Sequence, residues 1–364
     1  MAPSGRYLYF VIIVFGTFAV WLVFNSLMRH RDEKYASLRK KASERMVKER
    51  HWLSHLFFKI KDQVMPKSPL HEQRPLEKIT LLTWNIWFVR FEVKKRMNGV
   101  SSIIDKLKPN IITLNEVTRE NLKLLASQPW YKRYRIVPTD LNRQEAYFVV
   151  ILTNLPIQSW RAYPFFSFDL GWKLLVSTVN IPVSVITKAE NVAKFSLTIA
   201  TSHFESLSAN TLIREKQLNN SLKVLSEYEN ACLMGDLNLE QKVDGEIMLP
   251  KPWLDAWLSL PGNSHWNGFT YNPSINKMIP SGEYTKDRFD RVLCKLTNFK
   301  VKRMKIVGKK PLIPGVFPSD HFGIFTVLVP ETIIEKNTTR DVNAKVKRKL
   351  VFKRPDGWKR FLKS

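Results

Sequence analysis

The chain has 364 residues, 58 Lys and Arg against 32 Asp and Glu, a formal net charge of +26 and a pI near 10.0. The excess is not a tail effect: residues 29–76 hold 13 basic against 6 acidic side chains and residues 331–364 hold 11 against 4, which leaves a clear positive excess to the region between them. This balance points away from cationic ligands and towards a polyanion, either nucleic acid or an anionic headgroup surface. With only 2 cysteines, Cys232 and Cys294, both in apolar strand-like runs, buried reduced thiols are the simplest reading, and a disulfide between them is the alternative.

In chain order, residues 1–6 form a short tail and 7–28 carry no charge. As a helix the latter stretch spans roughly 33 Å, enough for a bilayer core. Only Arg6 precedes it, whereas Arg29, Arg31, Lys34, Arg39, Lys40 and Lys41 follow. The positive-inside rule then predicts a single-pass membrane protein with its long carboxy-terminal part facing the cytosol or nucleus. A cleaved signal peptide is the rival, but its apolar core would be about 7–15 residues and would end at a small-residue site. Residues 29–64 read as a basic juxtamembrane helix, with Leu53, Leu56, Phe57 and Ile60 as its apolar stripe, suited to anionic lipid headgroups. Pro66, Pro69 and Pro75 mark 65–77 as a linker. Residues 78–330 are long enough for one large core, and 331–364 are a basic tail in which 350–362 could dock on the surface.

Within 78–330, apolar runs alternate with polar tips. The run 79–82 leads to Asn85, 111–114 to Glu116, 195–201 to His203, and 231–234 to Asp236 and Asn238. Two further runs, 292–296 and 322–329, follow Asp290 and His321. Strands apolar along their length belong to sheets covered on both faces, and tips on one sheet edge converge in a crevice there. Helices are expected over 92–106 and 206–227. Each motif alone has an ordinary explanation: a turn for Gly235-Asp236-Leu237-Asn238, a helix N-terminal charge for Glu116, a structural role for either histidine. Six in one workable order favour metal-assisted phosphodiester hydrolysis. Glu116 is the best ligand for a hard cation such as Mg²⁺ or Mn²⁺, Asn85 offers a neutral oxygen beside it, and Asp320 completes or orients the shell. Asp236 is placed to activate water. Asn238, two residues on, shares its direction if the segment is extended, so it could hold the water or a phosphate oxygen. His203 and His321 can donate to phosphate oxygens as charge builds in the transition state.

These motifs, Thr83-Trp84-Asn85, Asn115-Glu116-Val117, Ser202-His203-Phe204-Glu205-Ser206, Gly235-Asp236-Leu237-Asn238, Arg288-Phe289-Asp290-Arg291 and Ser319-Asp320-His321, resemble the endonuclease/exonuclease/phosphatase superfamily over roughly residues 78–330. Within it they are most like the tyrosyl-DNA phosphodiesterase 2 subfamily, with Arg214 and Gln217 on the helix after Ser206 adding to the likeness. The resemblance implies an α/β fold, a four-layer α/β sandwich of two packed β-sheets flanked by helices, joined here to one N-terminal transmembrane helix. It also implies an Asp290–His321 pair that fixes the imidazole. By the same likeness Tyr147 lies near the substrate, and Tyr271 stands where the subfamily tends to have Trp, keeping an aromatic face for stacking. Trp87, a third candidate for substrate binding, occupies a position where an Asp is typical, Asn115 replaces the usual Gln, and Glu240 stands where an Arg is usual. The implied activity is hydrolysis of 5′-phosphotyrosyl ends of DNA, or of RNA joined to protein. The alternatives are a lipid or inositol-phosphate phosphodiesterase of the same superfamily and a catalytically silent membrane tether for nucleic acid.

Overall fold

The computed structural model of the chain describes residues 76–138, 145–165, 173–182, 194–280, 282–331 and 352–353. The expected membrane helix over 7–28, the juxtamembrane helix over 29–64, nearly all of the 65–77 linker and most of the 331–364 tail lie outside the described residues. Among the described residues no helix is long and apolar enough to cross a membrane. Every element named below lies in one compact unit.

The strands are β1 (Ile79–Asn85), β2 (Ile111–Val117), β3 (Arg135–Val137), β4 (Phe148–Thr153), β5 (Ile157–Pro164), β6 (Lys173–Pro182), β7 (Lys194–Thr201), β8 (Ala231–Asp236), β9 (Glu246–Ile247), β10 (Leu254–Asp255), β11 (Asp290–Lys295), β12 (Phe299–Val307), β13 (Gly323–Pro330) and β14 (Phe352–Lys353). The α-helices are α1 (Val93–Leu107), α2 (Arg119–Ala126), α3 (Thr211–Leu225) and the single turn α4 (Gln241–Asp244). Twelve of the strands build two mixed six-stranded sheets, ordered β12-β13-β1-β2-β4-β3 and β10-β11-β8-β7-β6-β5, and β9 pairs with β14 alone. The α/β sandwich expected from the sequence is therefore present. Each sheet holds one parallel pair, β1 with β2 and β7 with β8, joined through α1 and α3 respectively.

Alternation along the strands assigns the layers. On β1 and β2, Ile79, Leu81 and Ile111 face inward to meet Val179, Leu197, Ile199, Met234 and Val292 of the second sheet. The intervening Leu82, Trp84, Ile112 and Leu114 face outward onto Met97, Val100 and Ile104 of α1, which recur at helical spacing. On the second sheet Val176, Ala200, Leu233 and Leu293 pack outward against Leu218, Leu222 and Leu225 of α3. Each buried Val, Leu, Ile or Met side chain among these contributes about 1.5–3 kcal/mol. The layers therefore run helix, sheet, sheet, helix.

The helix expected over 92–106 is α1. The one expected over 206–227 starts later, because Leu207 adopts φ 73 and a 3₁₀ turn over Ser208–Asn210 precedes α3. Cys232 and Cys294 are directly opposed across β8 and β11, and both are free thiols. In the basic tail, Phe352 pairs with Ile247 and Lys353 with Glu246, so a piece of 350–362 does dock, as a short strand.

Candidate active site

The functional tips gather at one end of the sandwich, where β1, β2, β7 and β8 finish and β11 and β13 begin. Three backbone devices place them. On β2 strict alternation would turn Glu116 to the helix side, the side that Ile112 and Leu114 face. The β2–β4 register breaks between Leu114 and Val117, however, and Glu116 takes a left-handed φ of 54. This break swings the Glu116 carboxylate into the crevice, where it meets the Asn85 amide. Gly235 comes so close to the neighbouring strand that an added Cβ would lie 2.6 Å from the carbonyl oxygen of Ser202, which lets β8 deliver Asp236. Asn238 is not extended: β8 ends at Asp236, and Asn238 has φ 48. Its side chain therefore departs from the direction of Asp236, with its amide nitrogen donating to the Phe204 carbonyl at 2.9 Å and its backbone N–H donating to Asp236 Oδ1 at 3.0 Å.

Asp236 is the hub. Its Oδ2 accepts from Asn85 Nδ2 at 2.9 Å and lies 3.4 Å from His203 Nε2 and 3.8 Å from His321 Nε2. The Asn85 amide also donates to Glu116 Oε1 at 3.1 Å, while its oxygen accepts the Trp87 backbone N–H at 3.0 Å. The nitrogen of Asn85 thus faces the two carboxylates, where the sequence suggested an oxygen; half a turn of the amide exchanges the two. His321 Nδ1 lies 2.7 Å from Asp290 Oδ2, so the expected pair forms across the two sheets.

Burial by itself would lower both imidazoles, yet both are raised, His203 by Asp236 and Glu116 and His321 well above its ordinary value by Asp290 and Asp236. Burial opposes ionisation of Asp236, but His321 and His203 outweigh it and hold that carboxyl below the usual range. Asp320 goes the other way: burial first, then Glu116, pushes its carboxyl up to about 7. The site therefore combines imidazoles biased towards their protonated form with carboxylates shifted in opposite directions.

A hard divalent cation fits this donor set. Ligand atoms of Glu116, His203 and Asp236 lie within 4.8 Å of one another, as do those of Asp236, Asp290 and His321. Carboxylate oxygens suit Mg²⁺, and a cation beside Glu116 would relieve its repulsion with Asp320.

The aromatic candidates surround the crevice. Tyr147 stacks on Phe88 with centroids 4.8 Å apart and lies 5.9 Å from the His203 ring. The Tyr271 ring is 5.1 Å from that of His321. Trp87 has φ 60, and the Arg96 guanidinium sits 4.8 Å from its ring centroid.

Several residues assigned no role from the sequence act as positioning residues. Asn115 donates to the Ser202 carbonyl at 2.9 Å and accepts the Asp236 N–H at 3.2 Å, tying β2 to β8. Ser319 Oγ donates to the Asn85 carbonyl at 2.7 Å, and Trp84 Nε1 donates to that of His321 at 3.0 Å. Arg96 directs its guanidinium N–H groups at the carbonyls of Ile86, Trp87, Val89, Phe91 and Pro318. The signal for Asn115 was a polar residue inside an apolar run. Arg96 left none, since an arginine on a helix ordinarily reads as solvated.

The Endonuclease/Exonuclease/phosphatase family profile matches residues 82–321. Among characterised relatives, tyrosyl-DNA phosphodiesterase 2 of Xenopus laevis is 26% identical over 269 residues, covering 71% of this chain and 68% of the relative. The Homo sapiens protein is 27% identical over 260 residues, covering 67% and 66%. The chain thus spans about two thirds of the length of these relatives. The crystal structure of D. rerio TDP2 complexed with single strand DNA product shares the fold, with a TM-score of 0.59 at 21% identity over 70% of this chain and 99% of that one. The chain belongs to the Endonuclease/Exonuclease/phosphatase family and is an enzyme of its metal-dependent phosphodiesterase and nuclease type.

Proposed function

We propose that this chain is a membrane-anchored, Mg²⁺-dependent phosphodiesterase that hydrolyses 5′-phosphotyrosyl ends of DNA, or of RNA joined to protein. Its catalytic domain would face the cytosol or nucleus. The observation that carries the chemistry is the meeting of both His Nε2 atoms on Asp236 Oδ2, at 3.4 and 3.8 Å, beside Glu116. The substrate reading is supported by likeness to tyrosyl-DNA phosphodiesterase 2 and by Tyr147 and Tyr271 flanking the histidines. The anchor rests on the uncharged 7–28 stretch and the basic residues after it.

Glu116 and Asp320 would hold the cation, with Asn85 contributing its oxygen after the half turn. When bound, the cation would polarise a phosphoryl oxygen and offset developing charge. Asp236, ionised at neutral pH, accepts a hydrogen bond from the attacking water and aims it. His203 and His321, whose protonated forms are favoured by their acidic neighbours, donate to the non-bridging oxygens as charge accumulates. Asp290 fixes the His321 ring so that Nε2 faces the phosphate. Asn238 holds the loop after Asp236 against Phe204.

The test is turnover by the full chain in detergent, offered a 5′-tyrosyl oligonucleotide, a plain abasic duplex and sphingomyelin. Release of tyrosine from the first, abolished by EDTA and in Asp236→Asn, is expected. Turnover of the lipid alone would replace this reading with a lipid phosphodiesterase, and salt-sensitive DNA binding without any turnover would make the chain a tether.

A further inference from the structure

The edge strand β12 carries a division of side chains that catalysis does not use. Its register with β13 places Phe299, Val301, Met304 and Ile306 opposite Pro330, Leu328, Thr326 and Ile324. Phe299 and Met304 belong to the core between the sheets, with Val301 and Ile306 packed against it. The other face places Lys300, Arg303 and Lys305 opposite Val329, Val327 and Phe325. All three are exposed. A break in register between Val301 and Arg303 inserts Lys302 as a fourth exposed cation, and Lys309 and Lys310 follow Gly308. No acidic residue occurs between Asp290 and Asp320, and none of these cations is ion-paired among the described residues.

Charges on an edge strand can serve merely to keep other strands from pairing with it. The opposite edges provide an internal control: β3 and β5 each carry a single basic residue, Arg135 and Arg161. Edge protection also has no need of one sign, and a like-charged row repels itself. The row has direction as well. Val307 pairs with Gly323, two residues past His321, so the cations run from the far end of the strand towards the catalytic tip. Alternate residues on a strand repeat at about 6.7 Å, comparable to the separation of neighbouring phosphates along a nucleic acid strand.

We propose that the Lys300, Arg303 and Lys305 face of β12 is a docking track for the sugar-phosphate backbone of the nucleic acid whose 5′ end is being processed, extending binding beyond the reacting phosphodiester. The partner class rests on the nucleic-acid substrate proposed above. The single-file row leading to the reaction centre favours a polynucleotide over a membrane surface.

The test compares the full chain with a Lys300→Thr/Arg303→Thr/Lys305→Thr variant, chosen to retain strand propensity. A 5′-tyrosyl 20-mer and a mononucleotide 5′-aryl phosphodiester serve as substrates. For the long substrate KM should rise about tenfold at low salt with kcat unchanged, and the slope of log(kcat/KM) against log[salt] should weaken by roughly 2. Kinetics on the mononucleotide should not change. Equal loss on both substrates, or no change on either, would overturn the track. If the parent turns over neither, binding of an unmodified fluorescent oligonucleotide decides the matter separately from the activity: unaltered affinity in the variant rejects the track. Loss of binding to phosphatidylserine vesicles with oligonucleotide affinity intact would reassign the face to lipid.

Discussion

The two parallel units, β1-α1-β2 and β7-α3-β8, are built alike but charged differently. Both crossover helices have 15 residues, and in both the fourth residue is a buried arginine, Arg96 or Arg214, that grips the carbonyls of the loop entering its helix. Arg214 has a buried counter-charge, with Asp244 Oδ1 at 2.7 Å. Among the described residues the Arg96 guanidinium donates to carbonyls and forms no ion pair, and burial lowers it to about 10 against the opposing pull of the Asp320 and Glu116 charges. The first unit ends in an amide and an acid, Asn85 and Glu116, and the second in an imidazole and an acid, His203 and Asp236. One topology therefore supplies two kinds of tip; on the function proposed above, the first would hold a cation and the second would orient water and phosphate.

The sharpest way to break this division is to neutralise one acid in each unit. Asp236→Asn should lower kcat by about 10³–10⁴-fold, and added Mg²⁺ should not restore it. Glu116→Gln should lose a comparable amount at low Mg²⁺ but recover partly as the metal is raised. Steady-state kinetics across a Mg²⁺ titration reads both, and equal rescue of the two would erase the distinction between the tips.

A smaller effect is expected at the arginines. Arg214→Met strands Asp244 as a buried charge and should cost about 3–5 kcal/mol of stability in denaturant unfolding. Replacing both Arg214 and Asp244 with apolar residues should recover most of that. Arg96→Lys cannot match the planar fork and should leave the buried Ile86 carbonyl without its partner, at about 1–3 kcal/mol in the same unfolding measurement.

The smallest effect concerns pH. His321 is raised in the folded protein, mainly by Asp290 overcoming burial. Its contribution is therefore fully present below the unfolded value of about 6.5 and is lost as pH rises through the folded pKa. Metal-free thermal melts should show stability falling on the alkaline side, and His321→Gln should flatten that fall.

Much of this was legible from sequence because apolar runs and their polar tips are local signals. The runs before Asn85, Glu116, His203 and Asp236 became strands, and those after Asp290 and His321 did too. The like design of the two parallel units was not legible, since it resides in strand order and in two arginines, of which Arg214 stood out only as part of a likeness and Arg96 resembles a surface residue in the sequence. The placement of Asn238 was also missed, because its direction turns on a single backbone dihedral. Nor could sequence alone show that Asn115 bridges the sheets, as that contact joins residues 87 positions apart.

The left-handed backbone at Glu116 sets a trade between comfort and reach. Aspartate tolerates that conformation better than glutamate does, so Glu116→Asp would ease the chain locally. It would also withdraw the carboxylate by one methylene from the crevice. A sequence selected only for thermal robustness would drift towards the shorter acid, whereas one selected for holding a cation must accept a less comfortable backbone.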